Sequence, residues 1–134
     1  MLERGQAVLA QQPFSVLLGA ELTVFREGEA ELALPVRTEL RQQHGFVHGG
    51  VLAYLADNAL TYAAGSLFGD ALTLEMKINY ARPARGTRLV ARAHVVHAGK
   101  RQAVVRCDVF DLDEAGERLC AIAQGTITRV EPKP

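Results

Sequence analysis

Two groups in this chain have the types and spacing to work on a carbonyl carbon. One is the carboxylate of Asp57; the other is the glycine pair of His48-Gly49-Gly50, with Asp57 nine positions after the histidine. A carboxylate is ionised at neutral pH and can act as base for water or as direct nucleophile. The first N–H groups of a helix have no intrahelical partner and carry the positive end of its dipole. Where glycines stand there, a ligand oxygen can reach the backbone and a developing oxyanion can be held. Asp is rarely buried without a partner. Thr61, four residues on, puts its hydroxyl on the face of the carboxylate, and Tyr54, three back, lies near it.

The element that must carry these groups is the run Val51 to Phe68, VLAYLADNALTYAAGSLF. It is rich in Ala and Leu and has no Pro, so it reads as a helix over 51–68. It is apolar on nearly all sides, which predicts a helix buried all round. Its length is roughly 27 Å. Asp57 and Asn58 at its centre argue against a membrane span.

Around it, residues 2–12 read as a short helix ended by Pro13, and Phe14–Gly19 as an apolar turn. Strands are expected over 20–26 and 29–35, with a hairpin turn at Glu27-Gly28. Residues 37–47 read as irregular. Leu72 to Tyr80 alternates without a break, Leu72, Leu74, Met76, Ile78 and Tyr80 facing one way and Thr73, Glu75, Lys77 and Asn79 the other. Three further strands are expected over 87–97, 101–111 and 117–130, joined by turns at Ala98-Gly99-Lys100 and Asp113 to Gly116. The fold class is α+β: about six antiparallel strands wrapped around one long helix, in a single domain over 1–134.

Composition excludes several functions. Lys+Arg and Asp+Glu are both 15, so no global field points to nucleic acid or an anionic membrane. The N-terminus, MLERGQAVLAQQPF, lacks the pattern of a signal peptide, so a cytoplasmic protein is expected. Cys107 and Cys120 fall in strand-like alternation and read as small core side chains. His44 and His48 have metal-like spacing, but Gly45 and the pre-helical context oppose a site, and no metal is expected. The segment from Asp111 to Gly116 imitates a calcium loop, yet its twelfth position is Ile122, so a hairpin turn is the better reading. There is no phosphate-binding glycine loop and no serine elbow.

The order of elements and the string HGG-VLAYLAD resemble the hotdog-fold acyl-CoA thioesterases, most of all the phenylacetate-degradation (PaaI-type) group. The resemblance runs from about Pro13 to Val130 and includes INYARPARG, 78–86, and HAGKR, 97–101. It implies that Asp57 is the catalytic carboxylate and that the Gly49 N–H polarises the thioester carbonyl. It implies that Thr61 helps hold the attacking water and that Thr73 stands near the same water. Gln42, six before His48, occupies a position that is Asn in close relatives and Gln in a related group that uses Glu. His48 assists through its ring or fixes the entrance to the helix. Gly50 and Asn58 count as substrate-facing, although Asn58 also suits a structural bridge to a loop. The resemblance implies no cofactor, CoA being part of the substrate.

CoA phosphates need cations, and Lys100, Arg101, Arg82 and Arg85 are the candidates for a local cluster. The glycine and the carboxylate stand roughly 12 Å apart along one helix, too far to act on one thioester. A two-fold dimer is therefore expected, and the resemblance adds pairing of dimers into a tetramer. The alternatives are a hotdog hydratase or dehydratase, disfavoured because no Pro follows His44 or His48 in that group's pattern, and a non-catalytic acyl-CoA binding module, disfavoured by Asp57.

Overall fold

The computed structural model describes residues 1–131; the expected domain runs three residues past them. In chain order come α1 Leu2–Leu9, α2 Pro13–Leu18, β1 Glu21–Arg26, β2 Glu29–Pro35, α3 Gly49–Phe68, β3 Ala71–Tyr80, β4 Arg88–Ala98, β5 Gln102–Asp113 and β6 Gly116–Arg129. The strands form one antiparallel sheet in the order β1-β2-β4-β5-β6-β3. α3 packs against every strand of it. This is the hotdog architecture, and all six strands begin and end within two residues of expectation. Residues 37–47 hold a 3-10 turn, Thr38–Leu40, and a bridge from Arg41 to Val47. No helix of the described residues is long and apolar enough to cross a membrane.

α3 starts at Gly49, two residues before the apolar run, because His48 caps it. The His48 ring Nδ1 accepts the Gly50 N–H at 2.9 Å. Gly69, at φ 80°, ends it in a conformation that L side chains rarely adopt. The helix is not buried all round. Leu55, Ala56, Ala59, Leu60, Ala63 and Ala64 are sealed against the sheet, whereas Tyr54, Asp57, Asn58, Thr61 and Gly65 are half-buried on the opposite side. Tyr54, Asp57, Asn58 and Thr61 recur at helical spacing, so this stripe was legible in the sequence as a polar face.

The N-terminal segment also differs from expectation. α1 stops at Leu9, short of residue 12, and Pro13 opens α2 rather than merely ending α1. A first-turn proline loses no hydrogen bond there. The stretch expected as an apolar turn, Phe14–Gly19, is thus mostly helix, closed by Gly19 at φ 78°.

β3 departs most usefully. Its register against β6 jumps between Thr73 and Glu75, so the alternation is broken by a bulge at Leu74. Leu72 and Leu74 are 62% and 55% exposed, while Met76 and Ile78 pack on the core. The extra residue moves Thr73 to the side that faces α3. β3 is also a sheet edge, one backbone side unpaired among the described residues.

Candidate active site

Thr73, carried inward by the bulge, donates its hydroxyl to Asp57 Oδ1 at 2.5 Å. Thr61 Oγ1 lies 2.9 Å from the Asp57 backbone oxygen and 3.0 Å from Thr73 Oγ1. Thr61 therefore does not bond the carboxylate itself, as its helix face suggested; Thr73 does. Two hydroxyl protons serve three contacts. With Asp57 ionised, Thr73 spends its proton on the carboxylate, and Thr61 gives its own to one of the two oxygens beside it. Among the described residues, Asp57 Oδ2 meets no donor. The carboxylate is thus held by one oxygen and open at the other, on a space of about 400 Å³ lined also by Phe14, Ser15, Tyr54, Asn58 and Thr61.

Gly125 makes this geometry possible. A Cβ at 125 would lie 2.7 Å from Glu75 O and 3.0 Å from Leu60 Cδ1. The bulge can lie that close to β6 only because residue 125 has no side chain. Gly125→Ala is expected to lower stability by about 1–3 kcal/mol, the usual cost of overpacking, and to cut turnover further by moving Thr73 from Asp57. Denaturant unfolding and kcat measured together check this; unchanged kcat would separate the bulge from function.

At the other end of the half-buried stripe, the α3 start offers a free donor among the described residues. The Gly50 N–H is taken by His48 Nδ1, and the Val51 N–H by His48 O at 2.9 Å. Among the described residues the Gly49 N–H has no acceptor. His48 therefore fixes the entrance geometry, and a ring nitrogen that accepts from Gly50 presents its N–H, if neutral, at Nε2. Tyr80 completes this end. Its hydroxyl donates to Gly49 O at 3.2 Å, and its ring lies 3.4 Å from where a Gly49 Cβ would stand. Sequence reasoning gave Tyr80 no role; its position at the end of β3, next to the glycines only in space, left no signal.

The remaining candidates divide. Gln42 Oε1 accepts the His44 N–H at 2.5 Å and the Gln42 carbonyl accepts from Gly45, so this side chain holds the 42–46 turn. Asn58 Nδ2 faces Gln12 Oε1, Ser15 Oγ and the Tyr54 hydroxyl, at 3.1, 3.3 and 3.1 Å. Asn58 thus bridges α3 to the start of α2, and Ser15, 2% exposed, is the buried centre of that network. Gly50 is exposed at the α3 start. Arg82 and Arg85 are exposed beside Phe46 and Pro83. The Arg85 backbone is anchored by Asp111, which is fully buried, accepts the Arg85 N–H at 2.6 Å and pairs with Arg118 at 2.8 Å. Lys100 and Arg101 are exposed in the β4–β5 turn.

These cations do not form one cluster within the chain. Arg82 and Arg85 precede β4 and Lys100 and Arg101 follow it, so the length of an 11-residue strand, roughly 36 Å, separates them. Arg82 and Arg85 share the Gly49 end, since the Val47 N–H bonds Ala84 O. Lys100 and Arg101 share the Asp57 end, since Thr73 pairs with Ile127 and Ile127 with Ala103. Cys107 and Cys120 are buried core residues; burial raises both thiols, Cys120 to about 11. No metal-binding cluster occurs among the described residues.

Residues 44–117 match the family described as the thioesterase superfamily. A protein named putative esterase from Archaeoglobus fulgidus is 33% identical over 115 residues, which cover 85% of this chain and 73% of that one. The acyl-coenzyme A thioesterase PaaI of Escherichia coli is 33% identical over 95 residues, 70% of this chain and 68% of its own. Among solved structures, a thioesterase family protein from Silicibacter pomeroyi superposes with a TM-score of 0.88 at 35% identity, covering 91% of this chain and 92% of that one.

Proposed function

The chain belongs to the thioesterase superfamily, and on that premise we propose that it hydrolyses acyl-CoA thioesters, with Asp57 as base or nucleophile and the Gly49 N–H as oxyanion donor. One observation carries the reading. On the half-buried side of α3, Asp57 Oδ2 and the Gly49 N–H are both unengaged among the described residues, and a carboxylate oxygen and a helix-start N–H are the two kinds of group thioester hydrolysis needs.

In the base route, Asp57 Oδ2 takes a proton from water and the hydroxide adds to the thioester carbon. The carbonyl oxygen becomes an anion held by the Gly49 N–H. The C–S bond breaks as the carbonyl reforms; the CoA sulfur leaves as thiolate and takes up the proton that Asp57 gained, which restores the carboxylate. The Thr73 hydroxyl suits this. Thr73 keeps its hydrogen bond to Oδ1 throughout and so holds the carboxylate in place while Oδ2 takes the proton.

Both groups must meet at one carbonyl, within about 3 Å, and α3 keeps them roughly 12 Å apart. A homodimer resolves this. β3 offers ten residues of unpaired edge with exposed Leu72, Leu74 and Tyr80, which a monomer would leave open to aggregation. Antiparallel pairing with the partner's β3 about its midpoint exchanges the strand's ends. Tyr80, which touches Gly49, then lies toward the partner's Thr73, which holds Asp57. The same exchange carries Arg82 and Arg85 toward the partner's Lys100 and Arg101, giving the CoA phosphates a composite cation site. Dimers pair further into a tetramer. Replacing Lys100 and Arg101 with Gln is expected to raise KM several-fold and to flatten its dependence on salt, with kcat kept. An unchanged KM would remove this pair from the CoA site.

Release of free thiol from short, medium, long and aryl acyl-CoAs tests the function. Hydrolysis is expected. Change in enoyl thioester absorbance without thiol release would indicate a hydratase, and saturable binding without either would indicate a binding module.

A further inference from the structure

A cavity of about 560 Å³ lies between α1 and the C-terminal half of α3. The helices run antiparallel there: Gln12 meets Asn58 at one end, and farther along the Tyr62 hydroxyl donates to Gly5 O at 2.9 Å. Gln12, Asn58 and Thr61 line both this cavity and the space that holds Asp57, so the two adjoin, meeting at the Asn58–Gln12 hydrogen bond beside Thr61. From Thr61 the cavity runs to Gly69, between Val8, Phe25 and Tyr62.

Gly65 sits in its wall, and nothing in the fold requires a glycine there. It lies inside α3, where glycine costs about 0.5–1 kcal/mol relative to alanine. Its φ is not positive. A Cβ built at 65 meets no atom within 4 Å. Gly5 and Gly125 differ in kind, because a Cβ at either would come closer than 3.0 Å to its neighbours. What Gly65 does is keep the cavity free of a side chain.

We propose that this cavity takes the acyl tail of the thioester, that it fits an unbranched chain of medium length, and that Gly65, by having no side chain, keeps its far half open to that tail. The inference rests on the thioesterase reading. A carbonyl placed at Asp57 directs its tail past Thr61 and along α3. Thr61 to Gly69 spans eight residues, roughly 12 Å. With carbon–carbon bonds of about 1.5 Å, a zigzag chain of roughly eight to ten carbons fills that length. An aryl group would occupy only its beginning.

The test compares decanoyl-CoA with butanoyl-CoA in the full-length protein and in Gly65→Leu, with thiol release giving kcat/KM and solution mass giving the oligomeric state. The ratio of kcat/KM for decanoyl over butanoyl is expected to fall at least ten-fold in Gly65→Leu, at unchanged mass. Should the leucine variant fail to fold, Gly65→Ala, which favours the helix, is expected to lower the same ratio by a smaller factor. Turnover with an unmoved ratio overturns the tail site alone. A changed mass assigns the cavity to the partner subunit and overturns it as well. No thiol release from any acyl-CoA by the unaltered protein overturns the thioesterase reading and the tail site with it.

Discussion

Asp57→Asn is expected to lower thioester hydrolysis by about 10²–10⁴-fold, the range a positioned base contributes, while the melting temperature holds. Asn keeps the side-chain volume and retains an amide oxygen that can accept the Thr73 hydroxyl now 2.5 Å from Oδ1. Asp57 is half-buried on the open side of α3 and makes no ion pair among the described residues, so no salt bridge is broken. The base route and the nucleophile route both require the carboxylate, so the loss does not depend on which operates. Turnover and thermal unfolding measured on one preparation check the split. Near-normal turnover in a folded variant would remove Asp57 from the chemistry.

Gly49→Pro is expected to cut kcat by about 10²–10³-fold, as loss of one oxyanion donor does. Proline removes an N–H at the α3 start that no other group uses among the described residues, and little else changes. A first-turn proline is compatible with the helix. The residue before proline must be extended, and His48 already is, at φ −58° and ψ 133°. A side chain at 49 meets the Tyr80 ring at 3.4 Å, an ordinary contact. A circular-dichroism spectrum like that of the unaltered protein, with activity lost, is the expected pair of results. Full activity would mean that the oxyanion is held elsewhere.

The groups of these two predictions were the most legible in the sequence. Gly49 and Asp57 announce themselves locally, one by a helix start without side chains, the other by a charge inside an apolar run. The sheet was legible too, because its strands alternate and their turns contain glycine. What the sequence concealed arises from pairing between distant segments. Thr73 faces Asp57 only because of the bulge at Leu74, and an unbroken alternation pattern reads Thr73 and Leu74 on the wrong sides. Gly125, which gives the bulge its room, is 50 residues from Glu75 in the chain. Tyr80 against Gly49, and Asp111 under Arg85, are likewise contacts between segments with no shared motif. The four cations were expected as one cluster although the strand expected over 87–97 already lay between the two pairs; its length is what keeps them apart.

Subunit mixing tests the central claim most directly: that one site is built from Asp57 of one subunit and Gly49 of its partner. Asp57→Asn and Gly49→Pro homodimers should each be nearly inactive, since every site lacks one group. Unfolded and refolded together, they should regain activity, because a mixed dimer has one site with both groups intact. At equal amounts about half the dimers are mixed and each holds one good site of two, so about a quarter of the unaltered activity is expected. If differently tagged subunits exchange and fold, yet the mixture stays as inactive as its parents, the shared site is contradicted.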